Sequence, residues 1–198
     1  MAAALNTVSA LERLNGLASV NVNQLVSSYK GNNYAVLSGE DVLFELIEET
    51  EGLGLFSGGS RRGFHINGVD NTGKKVFSLR RPSMSLSDKI ELFMNDALVS
   101  VVRLESTFLK PVFNINDAQD CPILRLKGKV TTKAEYQLQT KDKIVIGSVF
   151  KRTHESLREM MSRKDDYVAS FPADLALHFK LAVIVGCVFI DFRFHEYK

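Results

Sequence analysis

Hydrophobic and polar positions follow two rhythms along this chain of 198 residues. Leu5, Val8, Leu11 and Leu14 recur at helical spacing and predict a short amphipathic helix over residues 1–18. The polar face of that helix is not rich in Lys or Arg, as a membrane-surface helix would be. It reads instead as a lid on the domain that follows. From Val20 onward the rhythm shortens to strands separated by turn signals. Predicted strands at 34–37 and 42–47 flank Ser38-Gly39-Glu40-Asp41, and those at 64–69 and 74–79 flank Asp70-Asn71-Thr72-Gly73. Further strands are predicted at 89–94, 98–105, 112–115, 123–127, 135–139 and 144–151. Asn95-Asp96 and Lys141-Asp142 supply two more tight turns. The glycine-rich stretch 50–63 lacks the Gly-Lys-Ser/Thr ending and following helix of a phosphate-binding loop. It reads as a crossing between hairpins, with Arg61 and Arg62 solvated.

Near the C-terminus the pattern changes again. Residues 175–194 are apolar on every helical face, and such a helix is buried in protein or in lipid. Pro172 suits a first helical position and Asp174 the first turn, so the helix is expected over 172–194. It would run about 30 Å over its apolar part. Lys180 and Asp191 bracket an uninterrupted apolar run of only 181–190. A bilayer span needs roughly 20 predominantly apolar residues, and charges near its centre are costly. Lys180 and Asp191 could still snorkel to opposite surfaces, so both readings stand, with the length rule favouring a core helix. A helix that is apolar all round needs an enclosure, and a closed sheet supplies one. The chain therefore reads as mainly β: an antiparallel barrel domain over 19–198 with its last helix threaded through the middle.

Composition adds mostly exclusions. A net charge of +2 selects no strongly acidic partner, and direct nucleic-acid binding is not favoured. Two cysteines are too few for a disulfide framework. Cys187, inside the apolar stretch, reads as a packed thiol. No secretory signal is legible at the N-terminus, and without Gly at position 2 myristoylation is not expected. His65, His154, His178 and His195 have no metal-like spacing. No Ser/His/Asp, Cys/His or paired-carboxylate arrangement stands out, so the residues assign no covalent chemistry.

Three pieces together resemble the phospholipid scramblase family. The first is Asn32-Asn33-Tyr34-Ala35-Val36. The second runs from Arg62-Gly63-Phe64 through Asp70-Asn71-Thr72-Gly73-Lys74 to Leu79-Arg80-Arg81-Pro82. The third runs from Phe171-Pro172-Ala173-Asp174-Leu175 through Lys180-Leu181-Ala182 to Phe189-Ile190-Asp191-Phe192. Their order and spacing hold over nearly the whole chain. The resemblance implies a tubby-like closed antiparallel barrel of about twelve strands around a buried hydrophobic C-terminal helix. It implies ATP-independent, bidirectional movement of phospholipids between leaflets, with calcium as trigger. It also implies a site at the plasma membrane, on its cytoplasmic face; the alternative is cytoplasmic.

The chain departs from that family in several places. Ser83-Met84-Ser85-Leu86-Ser87 follows Arg81-Pro82 where the family carries cysteines, so no palmitoylation is expected. A second family cysteine cluster, near 129–135, is absent too, and so is the proline-rich N-terminal tail. The family's calcium loop would fall on 163–174. Calcium takes six to eight oxygens. Arg163 stands at the first ligand position and Val168 where the turn needs glycine, which leaves Asp165, Asp166 and Asp174 as metal candidates. Calcium is therefore expected to bind weakly, and a solvated acidic turn is the alternative. Lys151-Arg152-Thr153-His154 occupies the place of a nuclear import segment, but strand-end charges look the same. Lys180, Asp191 and Arg193 are the candidate lipid or membrane residues, lining a groove shared between copies if the protein forms homo-oligomers. A second function stands beside lipid transport: a soluble tubby-like module that binds lipids or protein partners without moving lipid. A nuclear regulator is a third.

Overall fold

The computed structural model describes residues 9–25, 32–49, 62–83, 87–105, 110–129, 134–152 and 163–194, without the side chains of 163–165. Helix α1 (Ala10–Gly16) comes first. The strands follow as β1 (Ser19–Leu25), β2 (Asn33–Ser38), β3 (Asp41–Glu48), β4 (Phe64–Asp70), β5 (Lys75–Arg81) and β6 (Lys89–Met94). They continue as β7 (Ala97–Glu105), β8 (Val112–Asn116), β9 (Pro122–Gly128), β10 (Glu135–Thr140), β11 (Val145–Arg152) and β12 (Arg163–Ser170). Helix α2 (Leu177–Phe194) ends the described chain.

Neighbours in sequence pair antiparallel, and β1 pairs with β12, so the sheet closes on itself. Closure leaves no row of unpaired backbone groups at an edge. Period-two alternation decides which side chains go in. Along β4, Phe64, Ile66 and Gly68 are buried while His65, Asn67 and Val69 are half-exposed. Along β3, Phe44, Leu46 and Glu48 are buried while Glu45 and Ile47 are exposed.

A barrel of about eight strands is filled by its own side chains, and wider ones enclose space. Twelve strands leave room for a helix, and α2 fills it. Every residue from Lys180 to Phe192 is buried. Phe189 packs on Phe113 with ring centroids 5.1 Å apart, and Phe192 on Phe64 at 4.9 Å. Gly186 marks the closest approach to the wall: a Cβ there would lie 2.4 Å from Leu126 Cδ1.

Two expectations change. The terminal helix starts at Leu177, not at Pro172. Residues 172–175 form a turn instead, closed by the Leu175 N–H donating to the Pro172 carbonyl at 3.1 Å. The residue before a proline favours extended backbone; the Phe171 N–H, just past β12, still donates to the Ala18 carbonyl at 2.9 Å, and the chain needs this turn to enter the barrel. Asp174 therefore lies outside the helix, which has no acidic residue in its first turn. Second, residues 163–170 are not an acidic loop but strand β12, because buried Tyr167 and Ala169 alternate with outward positions and the barrel needs a strand to meet β1. Residues 19–25 form the first strand, in line with the strand rhythm from Val20 onward, with Val20 and Val22 inward. Of the expected N-terminal helix, Leu11 and Leu14 lie in α1, while Leu5 and Val8 lie outside the described residues, as do most of 50–63, His154 and His195.

The meander sends the turns after β2, β4, β6, β8 and β10 to one mouth, together with α1 and the start of α2. The C-terminal end of α2 reaches the opposite mouth.

Candidate functional site

The plug is polar only at its two ends. At the turn mouth, Lys180 is fully buried. Its ammonium donates to the carbonyls of Asn15 at 2.5 Å, Ala173 at 2.7 Å and Leu17 at 2.9 Å, with Leu14 at 3.4 Å. Three of those carbonyls belong to the last turn and cap of α1. The final carbonyls of a helix lack intrahelical partners and attract cations. Lys180 thus pins α1 across the mouth. Burial pushes the Lys180 ammonium down, and the Asp174 charge opposes that. The Phe171 ring lies 5.5 Å from the amine. Ser9 and Glu12 close the front of α1 with a capping box, and Arg13 reaches Asp41 at 2.9 Å. This is the lid the sequence implies.

At the opposite mouth, Asp191 is buried and accepts from the Tyr34 hydroxyl at 2.9 Å and the Tyr167 hydroxyl at 3.2 Å. One residue further, the Phe192 ring has two guanidiniums over it, Arg62 at 4.9 Å and Arg81 at 4.8 Å from its centroid. Arg62 pairs with Glu48 through both nitrogens. Arg81, almost fully buried, donates to Asp88 at 2.6 and 3.1 Å and to the Arg62 carbonyl at 3.1 Å. Arg193 comes within 3.7 Å of the same Asp88. Three arginines, Arg62, Arg81 and Arg193, and three carboxylates, Glu48, Asp88 and Asp191, thus gather at the end of the helix. Planar stacking on an aromatic face combined with fork-shaped pairing is an arginine property that a lysine ammonium cannot reproduce.

The scramblase family model matches residues 3–197, which takes in the lid, the whole barrel and both polar clamps. The chain belongs to the scramblase family. Phospholipid scramblase 2 of Bos taurus is 26% identical over 97% of this chain and 73% of its own length. Phospholipid scramblase 1 of Homo sapiens is 24% identical over 97% and 67%. Phospholipid scramblase family member 5 of Homo sapiens is 24% identical over 66% of this chain, which spans about half of that relative (53%). A solved X-ray structure of a protein from Arabidopsis thaliana covers 87% of this chain and 98% of its own, at a TM-score of 0.49 and 14% identity.

Within this scramblase-family barrel the candidate residues separate. Lys180 and Asp191 do not face a groove on the outside; both lie inside the closed barrel with partners. The reason is geometric: α2 is walled in along its length, so polar residues in it find partners at the mouths. Arg193 sits at the rim, its side chain one-third exposed. Asp166 is buried in the β12 wall, across from Asn23 and Arg152, and Asp174 lies at the other end of β12. Extended strand rises about 3.3 Å per residue, so β12 holds these two aspartates apart instead of wrapping them round one ion. The side chain of Asp165 is outside the described set. Among the described residues, no three His, Cys, Asp or Glu side chains gather as metal ligands would. Arg62, expected to be solvated, is paired with Glu48. Sequence reasoning also missed Tyr34, Tyr167 and Arg81 as partners of the plug. Their signal was phase: Arg81 follows inward Phe77 and Leu79 at period two, and Tyr34 precedes inward Val36.

Proposed function

We propose that this scramblase-family chain moves phospholipids between bilayer leaflets, in both directions and without ATP, at the cytoplasmic face of the plasma membrane. The observation that carries the reading is the family match over 3–197, which leaves no part of the barrel or plug outside it. The protein acts by providing a path, not by covalent chemistry. Among the described residues no helix is long and apolar enough to cross a membrane. Lipid-exposed backbone and charge must be satisfied within a bilayer, so the path forms between copies of the chain. Arg193 at the rim meets head groups first, and Lys180 and Asp191 join only if the plug moves. Calcium binds weakly, because an extended strand separates Asp166 from Asp174. Purified protein in fluorescent-lipid vesicles should let dithionite quench more than the outer-leaflet fraction; quenching that stops at that fraction overturns transport. Titration calorimetry should give no micromolar calcium affinity, and such affinity, lost on Asp165→Ala, would reverse the calcium statement.

A second reading is a tubby-like regulatory module that binds lipid or protein partners without transport. It is favoured by the full enclosure of α2, with Lys180 and Asp191 both hydrogen-bonded inside. Carbonate-washed membranes discriminate: protein left in the pellet supports insertion, and protein released to the supernatant supports the module.

A further inference from the structure

β5 and β6 meet only at Ser78–Phe93, Leu79–Leu92 and Arg80–Glu91, whereas β6 and β7 pair at six positions. Two bulges lie beside this short seam. Gly68 pairs with Phe77 but Val69 with Lys75, which leaves Val76 extra in β5. Leu92 pairs with Ser100 but Phe93 with Leu98, which leaves Val99 extra in β7. A bulge bends its strand and increases the local twist. β5 therefore swings away from β6 before Ser78, and no β6 residue pairs with Lys75, Val76 or Phe77.

The gap is a cleft of about 190 Å³ in the barrel wall. It is lined by Phe77 and Ser78, both about 95% buried or more, and by Val76, Phe93 and Asn95. Lys75 and Asp96 stand at its rim, 4.0 Å apart, with side chains 47% and 95% exposed. A pair so wet contributes little to stability, so a ligand can take over either charge. Asp96 is held in place by its turn: Asn95 and Asp96 have φ of 48° and 59°, the left-handed pair that a two-residue hairpin turn requires.

We propose that this cleft binds a zwitterionic phosphoamine group, of the phosphocholine or phosphoethanolamine type, with its phosphate on Lys75 and its ammonium on Asp96. The carrying observation is one cation and one anion at the rim of a polar wall cleft. A purely anionic ligand meets Asp96, and a purely cationic one meets Lys75. The Ser78 hydroxyl can donate to a phosphate oxygen, and the Phe93 ring can face a quaternary ammonium. The small volume fits a head group and not a drug-sized ligand. A peptide added as a strand would find only three open positions on β5, fewer than the usual strand of five or six residues. That the head group arrives on a lipid rests on the proposed function.

Amide chemical shifts of the full chain test the site. Phosphocholine, monomeric dihexanoylphosphatidylcholine and inorganic phosphate are titrated in turn. Saturable shifts at Ser78, Asn95 and Asp96 are expected with the first two, and at least tenfold weaker binding with phosphate. Lys75→Gln should weaken phosphocholine at least tenfold, and Asp96→Asn should erase the preference over phosphate. Both changes are on exposed side chains, and Asn tolerates the left-handed φ. Equal affinity of free phosphocholine and the short lipid identifies the head group as the whole ligand; tighter lipid binding adds a contact to its chains. No saturable seam shifts, shifts untouched by both variants, or phosphate binding as tightly as phosphocholine overturns the site. Intact seam shifts with no dithionite-accessible inner leaflet would instead sink the transport reading and leave the site standing.

Discussion

Lys180 concentrates more structural consequence than any other side chain in the plug. Its ammonium satisfies carbonyls from α1 and from the turn before α2, so its loss orphans acceptors on both. Removing one partner of a buried charged cluster costs far more than the net worth of its bonds. Lys180→Met should lower stability by about 3 kcal/mol, read as a fall in the urea midpoint. Amide exchange in Ala10–Gly16 should quicken in the same variant; an unchanged lid would refute the pinning role. Asp120 gives a pH prediction. The Arg103 guanidinium, hydrogen-bonded to it, holds its carboxyl below the usual 3.8, with Asn116 assisting and burial opposing. A depressed folded pKa contributes stability above the unfolded value and loses it as pH falls through the folded one. Stability should therefore decline below about pH 4, and Asp120→Asn should be less stable near neutrality and less acid-sensitive. Equal acid slopes in the two proteins would rule out this contribution. Asp120 has φ of 63°, which Asn accepts, so backbone strain does not confuse the comparison.

At the scale of elements, the tight spots are glycines. Gly186 lets α2 approach Leu126, so Gly186→Val should destabilise by about 1–3 kcal/mol through overpacking. Leu126→Ala should recover part of that loss in the double variant, since the clash lies with the far end of one side chain. Purely additive losses would show that the two do not touch. Gly147 is stricter: a Cβ there would lie 2.2 Å from the Ser170 carbonyl oxygen, and backbone at the β11–β12 seam cannot step aside. Elements with a clear period were legible beforehand. β3, β4 and β5 follow from alternation and from the turns at Gly39 and Gly73, both with positive φ. β12 was not, because Arg163, Lys164, Asp165 and Asp166 mask the alternation that begins at Tyr167. The helix start was misplaced because Pro172 and Asp174 suit a first turn equally well in a helix and in the bend that leads into one. The clamps were half legible: Lys180 and Asp191 stand out as charges in an apolar run. Two of their partners, Asn15 and Tyr34, lie more than 150 positions away, which local pattern cannot supply.

For the whole molecule, enclosure of α2 makes a sharp chemical prediction. Cys187 is fully buried and its thiol is pushed up by that burial, while Cys121 is exposed on the turn after β8. Reactive cysteines need thiolate character and access. A water-soluble maleimide should therefore modify one thiol in the folded protein and both in denaturant. Added vesicles should leave Cys187 protected if the plug stays in place; its prompt labelling would mean that the barrel opens on a bilayer. The bond between the first and last strands has a consequence for biosynthesis. Contacts between distant parts of a chain make folding slow, and here both the closing seam and the interior filling are supplied by residues 163–194, after eleven other strands. A nascent chain emerging from the ribosome must carry eleven completed strands as an open, half-empty ribbon until that stretch arrives. Holdase chaperones should therefore remain engaged until residues 163–194 have emerged, and truncation even shortly before Leu177 should yield aggregate instead of a smaller, stable product.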